Sequence, residues 1–91
     1  MIYNWDPQKS VQNKKKHGIS FEEARDFIFE QRHVRVFGVA KEDIERRHAV
    51  IGTWQGKFYT SIFTFTDSGI RIISVRRARK NEEEMAKNKG L

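Results

Sequence analysis

The sequence predicts an α+β fold in which two N-terminal helices cover one face of an antiparallel sheet of three to four strands, and a short helix ends the chain. The predicted order is strand, helix, helix, three strands, helix. Two observations lead to this prediction. Apolar residues recur at helical spacing early in the chain, and later they alternate with polar residues between glycine-containing turns. With 91 residues and no internal repeat or flexible linker, we expect one domain over residues 1–91.

The first helix is marked at both of its ends. Residues 2–5 form a short predicted strand, and Asp6 then caps a helix that has Pro7 at its first position. The helix is expected to run to about Lys16, because Gly18 supplies the left-handed residue that commonly ends a helix. It is mostly solvated, with a narrow contact stripe.

A second helix begins at Ser20, which forms a predicted capping box with Glu23. This helix extends to about residue 30. The first helix has Val11 as its only large apolar side chain, whereas the second helix has a full apolar face. That face contains Phe21, Ala24, Phe27 and Ile28. The second helix is therefore the predicted main cover of the sheet.

Strand-like alternation begins at His33. Residues 33–37 alternate, a charged loop follows at 41–45, and three longer strands are expected at about 46–54, 57–66 and 70–78. Turns at Gln55-Gly56 and Asp67-Ser68-Gly69 connect these three strands as an antiparallel meander. Residues 82–87 contain good helix formers with acids first and lysine last, which predicts the C-terminal helix.

The composition excludes several classes of protein and favours an anionic partner. There is no cysteine, which excludes disulfides, thiolate zinc sites and a cysteine nucleophile, and a reducing cytoplasmic setting is expected. No apolar run approaches the ~20 residues that span a bilayer, and the start lacks a secretion signal, so no membrane contact is expected. The net charge of +6 suits a polyanion, although a basic surface without that role fits the composition equally well.

The most basic stretch of the chain is residues 71–80, which include no acid. It contains Arg71, Arg76, Arg77, Arg79 and Lys80. Alternation predicts Ile73 and Val75 in the core and Arg76 on the open face of the sheet, where its removal would hardly change folding. Arginine pairs with two phosphate oxygens, so this strand is the best candidate RNA-binding surface. A solvated Arg76, or one that forms a salt bridge, is the alternative.

Arg46 and Arg47 begin a strand of the same meander. One of them can therefore join the arginines of residues 71–80 in binding the same anion. The alternative is that they pair with acids of the preceding loop. Those acids are Glu42, Asp43 and Glu45.

A group that can transfer protons near neutral pH is a further candidate for chemistry. His17, next to Lys16, is a natural proton carrier near neutral pH, but at a helix C-terminus it can equally serve to stabilise free carbonyls. Glu22 or Glu23 is a further candidate base, although the capping box already accounts for Glu23. His33 and His48 stand alone in strand contexts, and the three histidines lack metal-ligand spacing, so we expect neither a metal nor another cofactor.

Aromatic residues on the two central strands form a possible base-stacking surface, although core packing explains most of them. These residues are Trp54, Phe58, Tyr59, Phe63 and Phe65.

Several segments together resemble the BrnT-type toxins. The first half of the resemblance is carried by Trp5-Asp6-Pro7, Lys9, Asn13, Lys16-His17-Gly18 and Ser20-Phe21-Glu22-Glu23-Ala24. The second half is carried by Glu45-Arg46-Arg47, Ile51-Gly52 and Arg71-Ile72-Ile73-Ser74-Val75-Arg76-Arg77-Ala78. The spacing to Ile51-Gly52 makes Arg47 the better match to the family's arginine. Val75 and His48 depart from the residue types that are common at their positions.

The resemblance implies a RelE-like toxin domain that acts as a ribonuclease and arrests translation. Its inhibitor would be a BrnA-type antitoxin, bound in a 2:2 complex that represses its own operon, so that operator DNA is contacted only through the antitoxin. The competing hypothesis is a non-catalytic nucleic-acid-binding or adaptor domain that uses the same basic strand to hold phosphates.

Overall fold

The computed structural model describes residues 2–36 and 47–91. The elements are β1 (Ile2–Asn4), α1 (Pro7–His17), α2 (Phe21–Ala24) continuing into a π-helical turn (Arg25–Phe29), β2 (His33–Val36), β3 (His48–Trp54), β4 (Lys57–Phe65), β5 (Gly69–Arg77) and α3 (Lys80–Asn88). The α+β class and the order of the predicted elements are confirmed. The predicted loop at 41–45 lies outside the described residues.

Within the described residues the sheet has five strands in the order β1-β5-β4-β3-β2. The prediction of a three- to four-stranded antiparallel sheet is therefore wrong in two respects. The sheet is larger, and β1 lies parallel to β5, with Ile2 opposite Gly69. A Cβ atom at Gly69 would stand 1.9 Å from the Ile2 carbonyl oxygen, so this pairing requires glycine. A three-residue strand is too short for its partner to be read from a periodic pattern.

The helix boundaries follow the predicted capping residues. Asp6 accepts from the Gln8 amide at 2.9 Å, and Gly18 ends α1 with φ +78°. The capping box of Ser20 with Glu23 is present. These three local predictions are confirmed because a cap depends on residues that are neighbours in sequence.

The contact stripe of α1 is polar. Its buried residues are Ser10 and Asn13, whereas Val11 is 56% exposed. The Asn13 side-chain amide donates to the carbonyl oxygens of Ile19 and Val75, both at 2.8 Å. A buried asparagine thus fastens α1 to β5 near the end of that strand.

The main core lies between the sheet and the N-terminal helices. Its buried members are Ile19, Phe21, Ala24, Ile28, Phe29, Val50, Tyr59, Phe63, Ile70, Ile72 and Val75. The second helix is the predicted cover, but the π-helical turn changes which side chains point inward. Phe29 is buried, whereas Phe27, predicted to face the core, is 43% exposed. The wider turn rotates the last residues relative to regular helical spacing.

The opposite face of the sheet carries α3. A second apolar cluster there contains Val36, Ala49, Ile51 and Ala86, with Ala86 contributed by α3. The face expected to be open is therefore partly covered by the C-terminal helix.

A register shift in β5 corrects the predicted alternation. Ile62 lies opposite Ser74 while the next residue, Phe63, lies opposite Ile72, so Ile73 is an extra residue at a bulge. Before the bulge Ile72 is in the main core, and after it Val75 is. The prediction that Ile73 faces the core is wrong for this reason.

The bulge also decides which arginines share a face. Arg71 lies opposite Thr64, and Arg76 lies opposite Thr60, on the side of the sheet that carries α3. Simple alternation places Arg71 and Arg76 on different faces, whereas the structure places both on the same face.

Within the described ranges no helix is long and apolar enough to cross a membrane.

Candidate functional site

Arg76 forms a two-point salt bridge with Glu82 of α3. Nη1 donates to Oε1 at 2.7 Å, and Nη2 donates to Oε2 at 2.9 Å. The Glu82 side chain is 1% exposed and that of Arg76 is 21% exposed. Among the alternatives given for Arg76, the salt bridge is thus confirmed. A guanidinium has five N–H donors, so this bridge leaves capacity for a further anion.

Glu82 is held as a carboxylate by several donors. The Thr60 hydroxyl donates to Oε1 at 3.0 Å, and the Arg79 backbone amide donates to the same oxygen at 2.8 Å. Burial by itself would raise the pKa of Glu82, but the hydrogen bonds from Arg76, Arg79 and Thr60 hold that pKa at about 2. In turn, the bond to Glu82 raises the pKa of Arg76, which outweighs the opposing effect of burial. The charged pair therefore joins α3 to the sheet.

His17 and Arg76 lie at the same end of the molecule. Asn13 binds α1 to Val75, which places the last turn of α1 beside the end of β5. His17 is half-buried there. Burial lowers the pKa of His17 below 6.5, and the positive charges of Lys16 and Arg76 lower it further. Neutral imidazole, which accepts a proton, is therefore the dominant form at pH 7.

Further cations extend this region, which we name the basic end. It comprises Lys16, His17, Arg76, Arg77, Arg79 and Lys80. Arg77 is exposed on the other face of β5, where its guanidinium lies 5.8 Å from the Tyr59 ring. Arg79 precedes α3, and Lys80 is its first residue; both are exposed. Four predicted RNA-binding or catalytic cations thus cluster around the end of β5 and the start of α3.

Arg47 lines a small cavity separate from the basic end, which we name the Arg47 pocket. The pocket has a volume of about 90 Å³ and is lined by Asp6, Lys9, Arg47, Arg71, Ile72 and Ile73. The Nε atom of Arg47 is buried, and no hydrogen bond to it is present within the described part of the chain. Three cationic side chains and one carboxylate give the pocket a net positive charge. Arg46 and the acids considered as partners for Arg47 lie outside the described residues.

Glu22 contacts the middle of α1 and does not line the Arg47 pocket. Its carboxylate accepts from the Ser10 hydroxyl at 2.7 Å, which ties the start of α2 to the middle of α1. Ser10 precedes His17 by seven residues, or about 10 Å along the helix. The structure thus gives Glu22 a contact between helices and does not bring it to the basic end.

Two features of these sites were missed from the sequence. The sequence pattern predicts Glu82 only as a residue of the C-terminal helix, although its position three residues after Arg79 is a signal for a capping carboxylate. Lys9 and Asp6 were not assigned to an anion pocket, because their proximity to Arg47 depends on the mixed sheet. Among the aromatic candidates, Tyr59 and Phe63 are buried and Trp54 and Phe58 are half-buried, whereas Phe65 is 51% exposed.

Comparison of the sequence with models of known protein families gives a match over most of the chain. A family model described as the ribonuclease toxin BrnT of a type II toxin-antitoxin system matches residues 5–82. The chain belongs to the BrnT toxin family. The resemblance inferred from the sequence motifs is therefore confirmed. Comparison with curated proteins gives no match.

Membership of the BrnT family makes the chain a toxin of the type II class, whose family is named for ribonuclease activity. A type II system implies an antitoxin protein as partner. The matched range of this BrnT toxin contains the whole basic end and the whole Arg47 pocket, and it ends at Glu82, the residue that holds Arg76.

Proposed function

We propose that this BrnT toxin is a metal-independent endoribonuclease that cleaves RNA at the basic end and thereby inhibits translation. The observation that carries the proposal is that half-buried His17, whose pKa is lowered by burial and by the nearby charges of Lys16 and Arg76, lies at the same end of the molecule as the guanidinium of Arg76, which Glu82 orients. A neutral imidazole beside a fixed cation supplies a proton acceptor and stabilisation of negative charge, which are the two requirements of RNA cleavage by the ribose hydroxyl.

In the proposed reaction His17 accepts the proton of the 2′-hydroxyl, and the 2′ oxygen attacks the adjacent phosphorus. The bond from phosphorus to the 5′ oxygen breaks, and Lys16 donates a proton to that leaving oxygen. Arg76 stabilises the charge that develops on the phosphate oxygens. The products are a 2′,3′-cyclic phosphate and a 5′-hydroxyl, with no net change of oxidation state.

The Arg47 pocket holds a second phosphate of the same RNA. Arg71 and Arg76 share a face of β5, and their partners Thr64 and Thr60 are four residues apart on β4, which is about 13 Å along the strand. That spacing allows an RNA chain to reach from the Arg47 pocket to the basic end. Arg47 thus has a phosphate-binding role in this proposal, and Glu22 has no role in the chemistry.

The remaining parts of the proposal concern fold type and partners. We infer a RelE-like fold, a cytoplasmic location and inhibition by a BrnA-type antitoxin in a 2:2 complex. The complex represses its own operon, and the toxin contacts operator DNA only through the antitoxin. The support is the BrnT family match together with the net charge of +6, which favours an inhibitor that masks the basic surface.

The test is cleavage of a defined RNA by the purified chain in excess EDTA, with the product ends identified. The proposal predicts cyclic phosphate and 5′-hydroxyl ends, and a loss of at least about 10²-fold in rate for His17→Asn. Lys15→Ala removes an exposed charge two residues before His17 and serves as the matched control, which should retain activity. Binding of RNA without cleavage would instead favour the non-catalytic adaptor function.

A further inference from the structure

An aromatic cavity lies at the end of the sheet where β4 finishes and β5 begins, separate from both basic regions. Its volume is about 370 Å³. Phe29, Val50, Phe63 and Ile70 line it and are buried members of the main core, so they form an apolar floor. Tyr3, Glu30 and Phe65 also line the cavity, and none of them has a place in the proposed cleavage reaction.

Aromatic rings dominate the walls of this cavity. The Phe65 and Phe63 rings pack edge to face, with their centroids 5.4 Å apart. The Phe63 and Phe29 rings pack in the same way, with their centroids 5.3 Å apart. Phe65 is 51% exposed, although its neighbours in the cluster are buried. An exposed phenyl ring beside an apolar floor offers a flat surface on which a planar aromatic ligand can stack.

Polar groups at the rim restrict which planar ligand fits. Glu30 is exposed, and its Oε2 accepts from the Tyr3 hydroxyl at 3.2 Å, while a carboxylate has further acceptor sites. The Arg35 guanidinium lies over the Phe65 ring, 5.7 Å from its centre, and contacts Nδ1 of His48 at 2.9 Å, so it adds positive charge at the mouth. His33 also lines the cavity. The cavity thus combines a stacking surface, an acceptor of two parallel N–H groups and a cation.

We propose that the aromatic cavity binds a guanine base of the RNA, stacked on Phe65 with its edge donors on Glu30. Guanine presents two adjacent donors, N1–H and the 2-amino group, to a carboxylate, whereas adenine has an acceptor at N1. The charge of Arg35 and the net charge of +6 favour a nucleotide over an apolar peptide segment. This inference rests on the proposed RNA substrate and specifies a base that the toxin prefers.

The cavity can be tested without cleavage, by NMR titration of the isotope-labelled protein with guanosine 5′-monophosphate, adenosine 5′-monophosphate and inorganic phosphate. We expect guanosine monophosphate to shift the amide signals around Glu30 and Phe65 and to bind at least about fivefold more tightly than the adenosine nucleotide. Inorganic phosphate leaves those signals unchanged. Binding can occur even if the catalytic role of His17 is wrong, so the two proposals fail separately.

Two variants and a control sharpen the test. Phe65→Ala should weaken guanosine monophosphate binding about tenfold or more, because a stacking surface is lost. Glu30→Gln should remove the preference for guanosine over adenosine. Phe27→Ala is the control, since Phe27 is also an exposed phenylalanine but stacks on Trp54 outside this cavity.

Equal affinities for the two nucleotides, or the same signal shifts with phosphate alone, would overturn the proposal. It would also be overturned if Phe65→Ala left nucleotide binding unchanged but weakened binding of the co-expressed antitoxin, because the cavity would then be a protein-docking surface.

Discussion

Arg76 and Arg47 are arginines of the same sheet in opposite electrostatic situations. Arg76 binds Glu82 through two N–H groups, so most of its charge is balanced inside the protein. Arg47 has a buried Nε atom with no hydrogen bond among the described residues, and it faces a pocket that also contains Lys9 and Arg71. The first arginine therefore contributes to stability as well as to the proposed chemistry, whereas the second lines a pocket with a net positive charge and has the proposed role of binding a phosphate.

The largest expected effect is loss of stability in Arg76→Ala. Glu82 would remain buried as an unpaired charge, and breaking such a pair typically costs about 3–5 kcal/mol. Thermal or urea unfolding measures this loss. Arg77→Ala, on the other face of the strand, is the matched control and should cost less than about 1 kcal/mol.

The sequence predicts that Arg76 can be removed at little cost to folding, but this prediction assumes a solvent-facing side chain, and α3 in fact covers Arg76 with the carboxylate of Glu82. Adding Glu82→Gln to Arg76→Ala should restore part of the stability, since the unpaired charge is then gone. Equal stability of Arg76→Ala and Arg77→Ala would show that the salt bridge does not join α3 to the sheet.

Acid should weaken the same pair in the wild-type protein. The pKa of Glu82 is about 2 in the folded state and 4.5 as its ordinary value, so folding is favoured by ionised Glu82. This contribution is fully present above pH 4.5 and is lost as the pH falls toward 2. It amounts to about 3 kcal/mol.

Denaturant unfolding between pH 6 and pH 2, compared for wild type and Glu82→Gln, isolates this contribution. The wild-type protein should lose more stability than the variant in that interval. Parallel pH profiles would contradict the assignment of the shift to Glu82.

A smaller effect, on binding and not on stability, is expected at the Arg47 pocket. Arg47→Ala should weaken binding of a 2′-O-methyl RNA, which cannot be cleaved, by about tenfold. The slope of the logarithm of the binding constant against the logarithm of salt concentration should fall by about one phosphate contact. Stability should change little, because the removed Nε atom has no hydrogen-bond partner within residues 2–36 and 47–91.

Lys57→Ala, at the turn between β3 and β4, removes an exposed charge far from the pocket and is the control. If it weakens binding as much as Arg47→Ala does, the pocket has no specific role and only net charge matters.

Features encoded by neighbouring residues were predictable from the sequence. The caps at Asp6, Gly18 and Ser20 and the turn at Gln55-Gly56 were correct, since each depends on local conformation. At that turn Gln55 has φ 54° and Gly56 has φ 74°, as a tight hairpin requires.

Features that depend on distant partners were not predictable. The place of β1 beside β5 requires contact between Ile2 and Gly69, and the bulge at Ile73 arises from pairing with β4. The bulge matters most for the candidate site, because it puts Arg71 and Arg76 on one face. Likewise, Glu82 became part of the site only through the packing of α3.

The proposed chemistry depends most directly on the coupling of His17 to Arg76, and the pH dependence of RNA cleavage measures that coupling. Because burial and the charges of Lys16 and Arg76 lower the pKa of His17, the wild-type rate should rise with pH and reach its plateau with a midpoint below 6.5. His17→Asn should have a low rate without this inflection, and Arg76→Gln, wherever it remains folded, should move the midpoint upward. An inflection that persists unchanged in His17→Asn would contradict the assignment of His17 as the base.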